Sequence, residues 1–333
     1  MSPRSWLPLA LGVLCLGEQT RLELRPTDEL ELAIRAERTF ELELVETELE
    51  VEVDGESVGD REPPGLTFTM TEVEVIDFID RFEVADGAVQ RLDRTFRELG
   101  TNYMEEVTDP LGEAFSQENA GESALEGWTV RFDFDKEGGD EGRSFLGDDG
   151  EAPERLLAGL EPEAHLADFL PAGSVDSGES WEVPVTAFVR MMNLSGNLGL
   201  VQEGDTESAD DTDYSRQFDE NLTGSILATL VEQGDGVARI ELKAKLGTRI
   251  VTEEELTEGE VSGSLSEEHE FSFTLEGQLL WLVEPGLPRA LTLEGPLSLV
   301  MTTDQQQSVP GHELRMLERQ HLEGTLGFEV TAR

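Results

Sequence analysis

At 333 residues, 38% hydrophobic and 29% charged, the chain holds enough material for one large β-domain or two smaller ones. A formal charge of −49 excludes partners that need a basic footprint, above all nucleic acid and anionic membrane surfaces. The positive charge is nearly all arginine, with lysine only at Lys136, Lys243 and Lys245, and the single cysteine, Cys15, leaves burial and ladder hydrogen bonds to hold the fold.

Residues 1–17 have the form of a short secretory signal. Arg4 supplies the positive end, Trp6 to Gly17 the apolar stretch, and Cys15 and Gly17 the small residues before a cut at Glu18. The alternative is a buried N-terminal strand or helix. Leu14 is large where a lipoprotein signal carries a small residue, which argues against lipidation at Cys15. No other run is long and apolar enough to span a bilayer.

Residues 18–200 are predicted to be β-rich with short helices. Leu30, Leu32 and Ile34 alternate with other residues, as in a half-buried strand. Phe40, Leu42 and Leu44 lie in one phase, and Val45, Leu49, Val51 and Val53 in the other. Such a switch predicts a β-bulge or a bend where the strand changes partner face. The same switch separates Leu66, Phe68 and Met70 from Val73 and Val75, so two long bent strands of a curved sheet are expected. Ala85-Asp86-Gly87 is a hairpin turn into Val89 to Leu99, and Trp128 to Asp135 a further strand. Asp133, Asp135, Glu137 and Gly138 echo half of a calcium loop, but Ser144 stands where a bidentate glutamate is needed. Pro153 to Leu170 has helical spacing in two pieces, with stripes at Leu156, Leu157, Leu160 and at Leu166, Phe169, Leu170. These pieces are natural covers for a sheet.

Then come Leu170-Pro171, Val175 and Gly178-Glu-Ser180-Trp181, leading into a strand. Helix, Leu-Pro, Val, Gly-x-Ser-Trp and strand, followed by a C-terminal β-meander, resembles a group of exported bacterial β-rich proteins of uncharacterised function. It also resembles the lipoprotein-carrier-like half-barrels, in which a curved antiparallel sheet wraps small helices. The resemblance spans Leu156 to Thr331 and implies a fold and a location; it carries no catalytic residue across.

Residues 201–221 form the most polar stretch, with Glu203, Asp205, Asp210, Asp211 and Asp213 among its carboxylates. An exposed acidic loop is expected there, with weak calcium binding as the alternative. Residues 222–333 carry the clearest signal, five consecutive strands in antiparallel meander. Alternating rows run through Ala238 to Leu246, Phe271 to Val283, Leu291 to Met301 and Leu322 to Val330, with a weaker row from Leu222 to Leu230. The breaks at 232–236 and 284–288 are short and rich in turn formers. The overall expectation is an all-β, mainly antiparallel fold: a large curved sheet or half-barrel with a few short helices on its concave face.

Signatures of chemistry are sparse. His165, His269, His312 and His321 lack metal-ligand spacing, though the last three fall on or near adjacent strands. His312-Glu313 begins like a zinc-protease motif, but Met316 occupies the second histidine position. No nucleophile elbow, phosphate loop or dinucleotide fingerprint occurs. The reading is therefore an exported, non-enzymatic envelope protein with no cofactor. Its possible partner is an apolar small molecule such as a lipid or acyl chain, or an envelope protein. One alternative is a structural or interaction module with a fully packed core, and a remoter one a carboxylate-dependent hydrolase. Candidate lining residues are Phe271, Phe273, Trp281, Leu293, Leu299 and Phe328, under a lid of Leu156, Leu160, Leu166 and Phe169.

Overall fold

The computed structural model describes residues 20–58, 66–109, 111–134, 140–147, 152–162, 166–202, 216–258, 261–309 and 311–333. The proposed signal, His165, most of the calcium-loop echo and the acidic residues 203–215 lie outside them. In chain order the strands are β1 (Thr20–Arg21), β2 (Glu31–Val53), β3 (Glu56–Ser57), β4 (Thr67–Ala85), β5 (Ala88–Thr108), β6 (Ala114–Ser123), β7 (Thr129–Phe134) and β8 (Asp140–Leu146). Two 3-10 helices follow at Glu154–Gly159 and Leu166–Phe169. Then come β9 (Ser174–Val175), β10 (Ser180–Val183), α1 (Val185–Met192) and β11 (Leu200–Gln202). Residues 216–221 are helical, and β12 (Thr223–Gly234), β13 (Val237–Glu258), β14 (Val261–Leu282), β15 (Leu287–Val309) and β16 (His312–Ala332) complete the chain.

One antiparallel sheet of 14 strands runs β10-β12-β13-β14-β15-β16-β2-β4-β5-β6-β11, with β3, β7 and β8 off the main path. It is not closed into a barrel. Its path ends at β10 and β11, strands of 4 and 3 residues. β16 pairs with β2 from Leu314↔Val53 to Ala332↔Ile34, so the C-terminal meander and the N-terminal region share one sheet.

The alternation dictates the faces. The inner face carries Ala238, Ile240, Leu242, Ala244 and Leu246 of β13, facing Trp281, Leu279, Leu275 and Phe273 of β14, and all are buried. Leu291, Leu293, Leu297 and Leu299 of β15 and Leu322, Leu326, Phe328 and Val330 of β16 continue it. Each such side chain stabilises the fold by about 1.5–3 kcal/mol relative to exposure. Cover comes from the two 3-10 helices through Leu156, Leu166 and Phe169, and from α1 through Ala187, Phe188 and Met191. The Phe188 ring meets Phe273 and Phe328 at 6.4 and 5.8 Å. Trp181 ties β10 to the second 3-10 helix by donating from Nε1 to the Phe169 carbonyl at 3.0 Å.

Curvature has visible causes. The ladder between β2 and β16 shifts register at His321/Leu322, leaving Val45 as the extra residue, 52% exposed. This is the bulge the first phase switch predicts. The second switch is not a bulge. β2 and β4 pair without interruption from Glu31↔Arg81 to Glu43↔Thr69, and β4 slips against β5 only at Asp77/Phe78 and Glu83/Val84. The physical reason is that Glu72 and Glu74 occupy inner positions between Met70 and Ile76, so the valines fall on the outer face. The Asp86-Gly87 turn has both residues at positive φ, 55° and 81°, the conformation a two-residue hairpin requires. Gly324 sits where a Cβ would fall on the Glu41 carbonyl oxygen, so the strands close up there only because the side chain is absent.

Candidate functional site

The inner face is mostly apolar, but charged residues break it at two places, the first a diagonal where β2, β4 and β5 cross. In β2 the row Ile34, Ala36, Arg38, Phe40, Leu42 is interrupted by Arg38; in β4 the row Ile76, Glu74, Glu72, Met70 is interrupted twice. The register sets Arg38 opposite Glu74, and Glu74 in turn opposite Thr101. Arg38 donates from a single nitrogen, Nη2, to Glu74 Oε2 at 2.9 Å and to Glu72 Oε1 at 3.3 Å. Burial raises the Glu74 carboxyl above its usual value, the Arg38 charge opposes that rise, and Glu72 adds to it. Farther along β5, burial and the Glu105 carboxylate push the Tyr103 hydroxyl up to about 12, and the hydroxyl donates to Glu105 at 2.8 Å.

Beside this diagonal the helical cover is incomplete. A cleft of about 230 Å³ opens between the sheet, the end of α1 and the 216–221 helix. Its floor is Phe40, Leu326, Phe271 and Phe273, its walls are Met192 and Phe218, and its polar rim is Arg38, Glu72, Asn193 and Asp219. Phe271 and Phe273 lie parallel, with centroids 6.1 Å apart and planes 4° off. Phe218 stands edge-on to both at 5.6 and 6.1 Å. Asn193, the residue that ends α1, donates from Nδ2 to Asp219 Oδ2 at 3.1 Å, and burial holds the Asp219 carboxyl above its usual range. The volume suits one small organic group or the end of a chain, below the range of pockets that enclose a drug-sized molecule.

Of the ten side chains singled out in the sequence, two, Phe271 and Phe273, reach this cleft. Phe328 borders a small void of about 20 Å³ on the other side of Arg38. Trp281, Leu293, Leu299, Leu156, Leu160, Leu166 and Phe169 are buried in the continuous core. The expected lid covers the sheet away from the cleft, whose own cover is Met192 and Phe218. The second of these falls in the stretch expected to be loop. Arg38, Glu72 and Glu74 escaped the sequence reading, yet their signal is plain: charged residues at inward positions of two otherwise apolar rows.

A second buried polar group is structural. Arg94 is fully buried, and forks onto Asp80 through Nε and Nη2 at 2.7 and 2.8 Å. It also donates to the Glu161 and Pro162 carbonyls and to Ser195 Oγ, with its guanidinium 4.0 Å above the Phe78 ring. Burial raises the Asp80 carboxyl and the Arg94 fork opposes the rise. Every direction around the guanidinium is filled by the protein, so the pair ties the 3-10 segment to the sheet and presents nothing to a ligand.

The three described histidines do not meet. His269 pairs with Met301 and His321 with Val300, which places them on opposite faces, and His312 bonds Asp54 at the far end of β16. Among the described residues no group of three or more His, Cys, Asp or Glu is placed to hold a metal, and no helix is long and apolar enough to cross a membrane. No protein-family model matches the chain, and neither does any curated protein.

Proposed function

We propose that the protein is an exported, non-enzymatic binding protein of the bacterial envelope that holds the apolar part of a small amphiphile in the cleft beside α1. The observation that carries this reading is the gap in the helical cover over the stacked Phe271 and Phe273, where four phenyl rings, Leu326 and Met192 surround about 230 Å³ of space. Apolar walls with a few polar groups at one rim are what a site for a part-apolar molecule requires. Export rests on the charge and hydropathy pattern of residues 1–17.

The test is binding of a neutral lipophilic fluorophore, such as phenylnaphthylamine, to the purified protein. The wild type should enhance its emission saturably. Met192→Trp, which fills the cleft wall, should weaken that binding by about tenfold or more. Absence of saturable binding, or full binding by Met192→Trp, would remove the carrier reading. A packed structural or interaction module would then stand in its place, a reading favoured by the dense core around Trp281, Leu279 and Leu291, each 0% exposed.

A further inference from the structure

Resting on that reading, we infer that the ligand of the cleft beside α1 is a cationic amphiphile, an alkylamine or quaternary ammonium, and not an anionic acyl chain. Two features of the rim point the same way. The first is charge. Among the described residues Arg38 is the one cation lining the cleft, and its Nη2 is already shared between Glu72 and Glu74. Glu72 and Asp219 both line the cleft, so carboxylates outnumber guanidinium there. His269, the next inner-face residue beyond Phe271, is held below its ordinary value by burial. Arg216 lies one turn before Asp219 on the same short helix, but is exposed and does not line the cleft.

The second feature is the walls. Phe40, Phe218, Phe271 and Phe273 surround the space, and an aromatic face attracts a cation while repelling an anion. An anionic head would meet the carboxylates of Glu72 and Asp219, and the guanidinium beside them already shares one nitrogen between two carboxylates. A trimethylammonium head would meet those same groups favourably, and its alkyl chain would run along Leu326 and Met192. The charge of −49 on the whole chain raises the local concentration of any such cation before it docks.

The experiment compares three ligands of equal chain length below their micellar concentrations: dodecyltrimethylammonium, dodecanol and dodecanoate. Each displaces phenylnaphthylamine from the full protein at near-physiological salt. The cation should displace the probe at a concentration at least about tenfold lower than dodecanoate does. The double variant Glu72→Gln/Asp219→Asn should bring that ratio to within about threefold, whereas the general field of the protein is almost unchanged by two charges. The ratio is taken within each protein, so any loss of cleft integrity cancels. Dodecanoate binding as well as the cation would overturn the inference while leaving the apolar cleft standing. So would a preference that survives the double variant, since it would then come from the overall charge. Failure of all three ligands and of the probe would remove the cleft reading and this inference together.

Discussion

At the scale of single residues, the inner face shows two ways of placing a charge under a sheet. Arg94 is fully satisfied: two bonds to Asp80, two to carbonyls, one to Ser195 and a ring beneath. Its removal leaves a carboxylate with no water and no partner. Arg94→Ala should therefore cost about 3–5 kcal/mol in urea denaturation, in the range for breaking one member of a buried pair. Asp80→Leu combined with Arg94→Met should cost clearly less than the sum of the two single changes, because neither ion is then left alone. Additive costs would show that the fork contributes nothing beyond its two halves. Arg38 differs: among the described residues its guanidinium donates to Glu72 and Glu74 alone, both through Nη2, and it borders open space. That contrast is why one pair is read as an anchor and the other as the rim of a site.

At the scale of elements, curvature depends on missing side chains as much as on bulges. Gly324 faces inward between Leu322 and Leu326, opposite Leu42 on one side and Leu297 on the other, and a Cβ there would strike the Glu41 carbonyl. Gly327, three residues on, faces outward with no atom within 4 Å of where a Cβ would stand. Gly324→Ala should lower stability by about 1–3 kcal/mol as the strands part. Gly327→Ala should be neutral or stabilising by up to about 1 kcal/mol, since it only restricts the unfolded chain. Equal effects at both positions, read from thermal or urea midpoints, would reject the close-approach account. The pair also shows what alternation can and cannot reveal. Rows of leucine and phenylalanine made the five C-terminal strands and the bulge at Val45 legible, because period two survives any tertiary context. The exchange of phase at Met70 and Val73 looked identical to a bulge, but arises from inward glutamates, and a single strand cannot reveal that its partner supplies an arginine. The helix α1 passed unread. Its apolar spacing at Val185, Phe188, Val189 and Met192 is helical, but it is only 8 residues long, and β-branched Val185, Thr186 and Val189 suit a strand equally well. The cleft needs α1, the 216–221 helix and four strands, β2, β4, β14 and β16, so no local pattern could announce it.

At the scale of the whole molecule, a chain with a charge of −49 sets carboxylates against one another on its sheet in ways that oppose folding. Glu37 faces Glu329, Glu43 faces Glu323 and Glu276 faces Glu294 directly across neighbouring strands, and like charges so placed repel. Half-buried Glu74 adds to the effect. Its carboxyl is raised in the folded state above the ordinary 4.5. Its contribution is therefore complete below that value and lost as pH rises through the folded one. Half-buried Asp304 and Glu268, lowered by Arg315 and Arg249, run the other way, losing stability as pH falls, but pairs so near the surface are worth little. The net expectation is a thermal midpoint that falls between about pH 5 and pH 8 at low salt. Raising salt to about 0.5 M shortens the Debye length to ~4 Å and should flatten most of that fall. If screening returns about 2 kcal/mol, the midpoint at pH near 8 rises by roughly 3 °C for a chain of this length. The slope that salt leaves behind belongs to shielded groups, and Glu74→Gln should reduce it. A midpoint that ignores salt, or drops with it, would show that the ion pairs of the outer face outweigh its facing carboxylates.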